Sequence, residues 1–204
     1  MQIKTYALGP LQTNGFLLAN GERAVFIDPG GDPSAVIKDI ESGGLKLEGI
    51  LNTHFHVDHI LGNQALADAT GAPILANPDD AYLLETEIGA GGFMGLPRID
   101  EFEYEPVKEG EREFIGLECK VLATPGHTLG SVSFYFPEAG AVFTGDLIFK
   151  RSIGRTDFPG GDMGTLTNSV REKIFALPPE TVIYSGHGPE TNVGDEANHN
   201  PFFQ

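Results

Sequence analysis

Cysteine, positive charge and long apolar runs are all scarce in this chain of 204 residues, and each scarcity excludes something. The single cysteine, Cys119, has no partner for an internal disulfide. No apolar run approaches the roughly 18 residues that a membrane span needs. The opening Met1-Gln2-Ile3-Lys4-Thr5-Tyr6 has no signal-peptide core, so the expectation is a cytoplasmic protein with no membrane partner. Thirteen Lys and Arg stand against 29 Asp and Glu, a net charge of −16. That balance lacks the basic footprint with which proteins neutralise phosphate backbones, so nucleic acid is excluded as a partner. Internal repeats and low-complexity stretches are missing too.

What is present is globular in composition. Hydrophobic residues make up 40% and charged residues 21%, which excludes disorder. A chain of this length can bury about 70% of its unfolded surface as one domain, and no linker divides residues 1–204. The 27 glycines and 14 prolines imply many shaped loops, the usual carriers of function.

Apolar runs at 15–19 and 24–27 flank Asn20-Gly21, which predicts a hairpin with a type I′ turn. Asp32 as N-cap and Pro33 at the first position predict a helix ending at Gly43-Gly44. A buried strand follows over 47–52, then helices over 58–69 and 78–87. The glycine-rich stretch 89–97 reads equally as a lid or a long connection, with Phe93 and Met94 at a pocket mouth or packing the loop. Strands over 117–123, 132–136 and 141–144, a helix near 166–177 and a strand over 181–184 complete an α+β or layered α/β domain. Cys119, Phe134 and Phe136 read as core, and His199 as part of an exposed polar tail.

The chemistry concentrates in Thr53-His54-Phe55-His56-Val57-Asp58-His59, where a strand gives way to a helix. Residues two apart in extended backbone point the same way, so His54 and His56 can grip one metal ion. Asp58 and His59, at the start of the helix, can be aimed at a second position. Three imidazoles and a carboxylate this close suit a borderline divalent ion. His127, Asp146 and His187 each follow an apolar strand and sit beside a glycine, which places them at a strand end as well. Seven protein ligands exceed what one ion takes. If Asp146 and a hydroxide bridge two ions, each receives about five contacts. One or two divalent ions are expected, zinc first, with iron or manganese equally compatible with these donors.

In this order the residues resemble the metallo-β-lactamase superfamily, whose pattern is an aspartate, then H-x-H-x-D-H, then H, D and H. Asp28, His54, His56, Asp58, His59, His127, Asp146 and His187 fill every slot. The resemblance implies an αββα four-layer sandwich with the metal site at one edge of the two sheets, and Asp28 as a support that orients the metal loop. His56 argues against the flavodiiron-type oxidoreductases, which carry glutamate there. Asp146 argues against the best-known β-lactamases, which carry cysteine. RNA-processing relatives have a large insertion that this length does not hold. The runs Gly145–Phe149, Ser152–Phe158 and Gly186–Glu190, and the ending Asn200–Phe203, resemble the short glyoxalase II-like branch, without the C-terminal helical region of longer members.

The expected function is therefore that of a hydroxyacylglutathione hydrolase-like thioesterase, acting by attack of metal-activated hydroxide on the thioester carbonyl. Asp58 would shuttle a proton if its metal position is empty. Lys150, Arg151 and Arg155 place three of the 13 basic residues within six positions, just after Asp146. In so acidic a chain that suggests a small anionic substrate, glutathione-like, with Arg155 and Arg151 as its contacts. Arg155 matches a basic residue of the resembled enzymes, whereas Asp157 stands where they carry a substrate-contacting tyrosine. The alternative is a persulfide dioxygenase, with a single iron held by His54, His127 and Asp146 or a similar subset.

Overall fold

Short apolar runs in the first half of the chain become six strands, and those of the second half become another six-stranded sheet with a small hairpin beside it. A computed structural model describes residues 1–204, and they cluster into two units. The first comprises Met1–Val107 with Glu113–Leu117, and the second Lys108–Arg112 with Glu118–Gln204.

In the first unit the strands β1 (Gln2–Leu8), β2 (Thr13–Asn20), β3 (Arg23–Ile27), β4 (Lys46–Leu51), β5 (Ile74–Ala76) and β6 (Glu105–Pro106) lie side by side in chain order. β1, β2 and β3 pair antiparallel; β3 to β6 pair parallel, so the sheet is mixed. The helices α1 (Ser34–Ser42), α2 (Val57–Ile60), α3 (Asn63–Thr70) and α4 (Glu87–Ala90) fill the crossovers. Val36 and Ile40, one turn apart on α1, join Leu17, Phe26, Ile50 and Leu66 in the core. Each such side chain, fully buried, stabilises by about 1.5–3 kcal/mol.

In the second unit the sheet order is β14 (Thr191–Asn192), β13 (Val182–Ser185), β10 (Ala141–Gly145), β9 (Val132–Phe136), β8 (Leu117–Ala123), β7 (Gly110–Phe114). β10 pairs parallel with β13 and antiparallel with β9. The hairpin β11 (Ile148–Phe149) and β12 (Ser152–Ile153) follows Asp146 directly. α5 (Met163–Ser169) runs on into a π-helical turn over Val170–Ile174, and α6 (Val193–His199) closes the chain. Leu147 and Ile148 pack with Leu166, Val170, Ile174 and Ile183, which anchors the segment after Asp146 in the core. Cys119, Phe134 and Phe136 are buried as expected, and burial pushes the Cys119 thiol well above its ordinary value.

Local expectations shift where distant contacts intervene. The two-residue hairpin loop is Gly21-Glu22, not Asn20-Gly21, because Asn20 pairs with Arg23; only Gly21 takes positive φ, as a type II′ turn requires. α1 starts at Ser34, one residue later than expected, although Asp32 still accepts a hydrogen bond from the Ser34 backbone N–H at 3.0 Å. The helix expected over 58–69 breaks at Gly62, whose N–H donates to the Pro29 carbonyl at 2.7 Å. The segment Pro78–Glu85 is a 3-10 helix, with Asp80 turned inward onto the Phe55 N–H. After α4, residues 91–98 close on themselves through a Gly91–Arg98 bridge and a turn in which Leu96 N–H donates to Phe93 O at 2.8 Å. Met94, at φ 49°, projects from that turn and is 92% exposed. No helix is long and apolar enough to cross a membrane.

Gly30 has no room for a side chain: a Cβ there would lie 1.9 Å from the Asp58 carbonyl oxygen, a backbone atom at the start of α2. Gly30→Ala is expected to cost about 1–3 kcal/mol by overpacking. Equilibrium urea unfolding should show a lower midpoint with an unchanged slope.

Candidate metal centre

β4 delivers the first donor set. Its ladder ends at Leu51, and Asn52 and Thr53 lead into His54, His56, Asp58 and His59. The three imidazoles are buried, at 0–4% exposure. Their orientation is set by hydrogen bonds from behind. Asp28, just past β3, accepts from the Thr53 N–H at 2.8 Å and the Thr53 hydroxyl at 2.6 Å. It also accepts from His59 Nδ1 at 2.9 Å. With its proton given to Asp28, the Thr53 hydroxyl is left to accept from His54 Nδ1 at 3.0 Å. Both His54 and His59 thus carry their protons on Nδ1 and present Nε2 lone pairs. His54 Nε2 lies 3.1 Å from His56 Nδ1, and His59 Nε2 lies 3.7 Å from Asp58 Oδ2.

Asp28 bears a backbone cost for this. Its φ of 53° is left-handed, a conformation that disfavours most side chains by about 1 kcal/mol or more and that aspartate tolerates better than most.

β8, β10 and β13 deliver the second donor set. Where β10 leaves β13, the register shifts between Phe143 and Gly145, and this bulge re-aims the chain into Asp146. His127 Nδ1 donates to the Arg155 carbonyl at 2.8 Å, which again leaves Nε2 with the lone pair. His127 Nε2 and His187 Nε2 lie 3.7 and 3.6 Å from Asp146 Oδ2. Bonds of about 2.0–2.2 Å set the donor atoms of a tetrahedral coordination sphere roughly 3.3–3.6 Å apart. Imidazole and carboxylate donors at these separations, with the far nitrogens of His54, His59 and His127 committed elsewhere, fit a divalent cation.

The two basic residues expected at the substrate differ in their partners. The Arg151 guanidinium donates to Glu196 Oε1 at 2.6 Å and Asp195 Oδ2 at 2.8 Å, opposite a buried carboxylate. Arg155 is 53% exposed at its side chain, gives Nε and Nη2 to Asp157 at 2.7 Å each, and stacks 3.6 Å from the centre of the Phe158 ring. The guanidinium holds the Asp157 carboxyl down at about 2. His199 is exposed, 3.1 Å from Asp195.

Five contributing residues escaped the sequence. Asp80, buried, accepts from the Phe55 N–H at 3.1 Å between two donor histidines. Asn52 and Asn63 exchange amide hydrogen bonds at 3.0 and 2.8 Å and so pin together the two ends of the donor loop. Thr13 donates its hydroxyl to Asp58 Oδ2 at 2.8 Å. Glu196 is completely buried. Their partners lie 11 to 45 positions away in the chain, beyond the reach of local pattern.

Comparison with known proteins agrees with this chemistry. Residues 8–187 match the family described as the metallo-beta-lactamase superfamily. A Haemophilus influenzae protein named hydroxyacylglutathione hydrolase GloC is 37% identical over 207 residues, covering 99% of this chain and 98% of the relative. The structure titled BLEG-1 B3 metallo-beta-lactamase superposes with a TM-score of 0.93 at 38% identity, covering 100% of both chains. TTHA1623 in a di-iron-bound form gives a TM-score of 0.88 at 39% identity, covering 98% of this chain and 99% of that one. The fold is accordingly the metallo-β-lactamase fold, with two mixed sheets flanked by helices.

Asp28→Asn keeps the size of the side chain but puts an amide where three donors now meet a carboxylate. Metal affinity, measured by chelator competition, is expected to fall about 10- to 100-fold.

Proposed function

We propose, from the premise that this chain belongs to the metallo-β-lactamase superfamily and is a metal-dependent hydrolase of it, that it hydrolyses thioesters of an anionic, glutathione-like thiol. The observation that carries the reading is Arg155. Its backbone carbonyl holds the donor His127 in orientation, while its guanidinium stands half-exposed next along the chain in a protein of net charge −16. A cation tied to a metal-ligand histidine by its own main chain is where a substrate carboxylate belongs. The relative named hydroxyacylglutathione hydrolase supports the same substrate class.

The residues that would hold one or two divalent ions, zinc first and iron or manganese as alternatives, are His54, His56, Asp58, His59, His127, Asp146 and His187. When bound, such an ion lowers the pKa of water to about 7 and polarises a carbonyl. The chain's own residues do the rest. Asp28, Thr53 and the Arg155 carbonyl fix the imidazoles so that they need not reorganise during the reaction. Asp58 Oδ2, steadied by the Thr13 hydroxyl, ligates or, where its position holds no ion, receives the proton of the attacking water. Arg155 offers Nη1 to the substrate carboxylate while Nε and Nη2 stay with Asp157. A thiol with a reference pKa near 8.5 departs without a proton donor, whereas a lactam or amide nitrogen requires one. That difference favours thioesters over β-lactams.

The reading is tested with purified, metal-quantified protein and S-D-lactoylglutathione, with and without oxygen. Oxygen-independent turnover that vanishes in His54→Ala is expected. No turnover with zinc, iron or manganese would sink it; oxygen uptake with glutathione persulfide, or hydrolysis of a β-lactam in its place, would transfer the chain to another activity. Arg155→Ala should raise KM about tenfold, equivalent to about 1.4 kcal/mol, with kcat little changed.

The pH dependence follows from Asp157. Its carboxyl is depressed to about 2, so the pairing with Arg155 is complete above the ordinary carboxylate range and is lost only as pH falls through about 2. Between about pH 5 and about pH 8, above the ordinary carboxylate range, this pair should leave KM flat. A KM for the anionic thioester that rises tenfold across that window would contradict it.

A further inference from the structure

Arg151 pairs with Glu196, and the contact leads to an assignment for both. Glu196, on α6, is a carboxylate with no exposed surface. Four donors satisfy it: the Arg151 N–H at 2.9 Å, Arg151 Nη1 at 2.6 Å, the Thr191 hydroxyl at 2.6 Å and Asn200 Nδ2 at 2.9 Å. Arg151 sits at the tip of the β11–β12 hairpin with φ 60°, a conformation that its N–H contact to Glu196 helps to hold. Asn200 Nδ2 also reaches the Phe149 carbonyl at 3.3 Å and the Ser152 carbonyl at 3.0 Å. The end of α6 thus clamps the hairpin at its tip and at both shoulders.

All three donors of this unit hang on the same hairpin. Asp146 precedes it by two residues, and Gly154, which follows it, packs so closely that a Cβ would lie 1.8 Å from the Asp146 carbonyl oxygen and 3.2 Å from His127 Nδ1. The next residue, Arg155, supplies the carbonyl that accepts from His127 Nδ1 at 2.8 Å. Ser185, two residues before His187, donates its hydroxyl to the Ile148 carbonyl at 2.7 Å. A displaced hairpin therefore moves the backbone behind Asp146, the acceptor behind His127 and the strand end before His187. For stability alone, apolar groups in place of a buried ion pair are often as good or better. The network's directional bonds specify position.

We propose that Glu196 is a positioning residue for the metal centre: with Arg151 and Asn200 it fixes the β11–β12 hairpin, and through the hairpin the geometry of Asp146, His127 and His187. The proposal rests on the reading that these three side chains bind metal.

The test measures Zn(II) affinity by chelator competition and the visible spectrum of the Co(II)-substituted protein, on full-length variants at a temperature where circular dichroism shows them folded. Glu196→Gln, whose amide cannot accept from all four donors, is expected to bind zinc about 10- to 100-fold more weakly and to alter the cobalt spectrum. Phe136→Leu, a buried change in β9, should lower the unfolding midpoint and leave affinity within about twofold. Wild-type affinity and spectrum in folded Glu196→Gln, or an equal loss in Phe136→Leu, overturns the proposal. If Glu196→Gln does not fold, Arg151→Gly decides, since glycine keeps the left-handed turn while removing the guanidinium. A loss of about threefold or more there supports the proposal, and wild-type affinity overturns it. A wild-type protein that binds neither ion, or whose affinity survives His127→Ala, overturns the metal reading beneath it and the proposal with it.

Discussion

An imidazole has two nitrogens and gives a metal only one, so a histidine site depends on what the other nitrogen is doing. In this protein that nitrogen is committed at His54 to Thr53, at His59 to Asp28 and at His127 to the Arg155 carbonyl. The same acceptors are structural joints. Asp28 ties the end of β3 to the residue that follows β4, and the Arg155 carbonyl ties the far side of the β11–β12 hairpin to the turn after β8. The bonds that set the tautomers therefore also fix where the strands end.

This coupling explains the close backbone packing around the donors. Two joints that share an atom cannot tolerate slack between them. Gly30 brings the loop after β3 against the Asp58 carbonyl, and Gly154 brings the chain after β12 against Asp146 and His127. At both positions the space for a side chain has been given to main chain. The left-handed Asp28 and Arg151 belong to the same pattern: each is strained backbone held by hydrogen bonds of its own residue, in Asp28 from the side chain and in Arg151 from the N–H and side chain alike.

The donors were legible because coordination chemistry accepts few residue types, and seven of them after strand ends form a pattern that packing alone does not produce. The strands were legible from apolar runs closed by glycine, as at 132–136 and 141–145. Elements governed by distant contacts were not. The break at Gly62 is made by the Pro29 carbonyl, and the inward turn of Asp80 by the Phe55 N–H. Arg151 and Arg155 show the limit most clearly. They share a charge and a short stretch of chain, yet one faces a buried carboxylate 45 positions away and the other an exposed neighbour two positions away. Charge density along a sequence locates a patch; the partner decides which member of it remains available.

Arg155 remains available on particular terms. An exposed ion pair is weak, so Asp157 holds the guanidinium in place without sequestering it. The Phe158 ring stacked at 3.6 Å adds a second constraint that costs Arg155 none of its hydrogen-bond donors. The side chain is thereby preordered with its Nε and Nη2 edge satisfied, so that a carboxylate binding there would order less than around a free arginine. Under the proposed thioesterase reading, the pair therefore favours a thioester that carries a carboxylate over a neutral one. In so acidic a chain, the carboxylate beside the arginine would then be as much a part of anion recognition as the arginine.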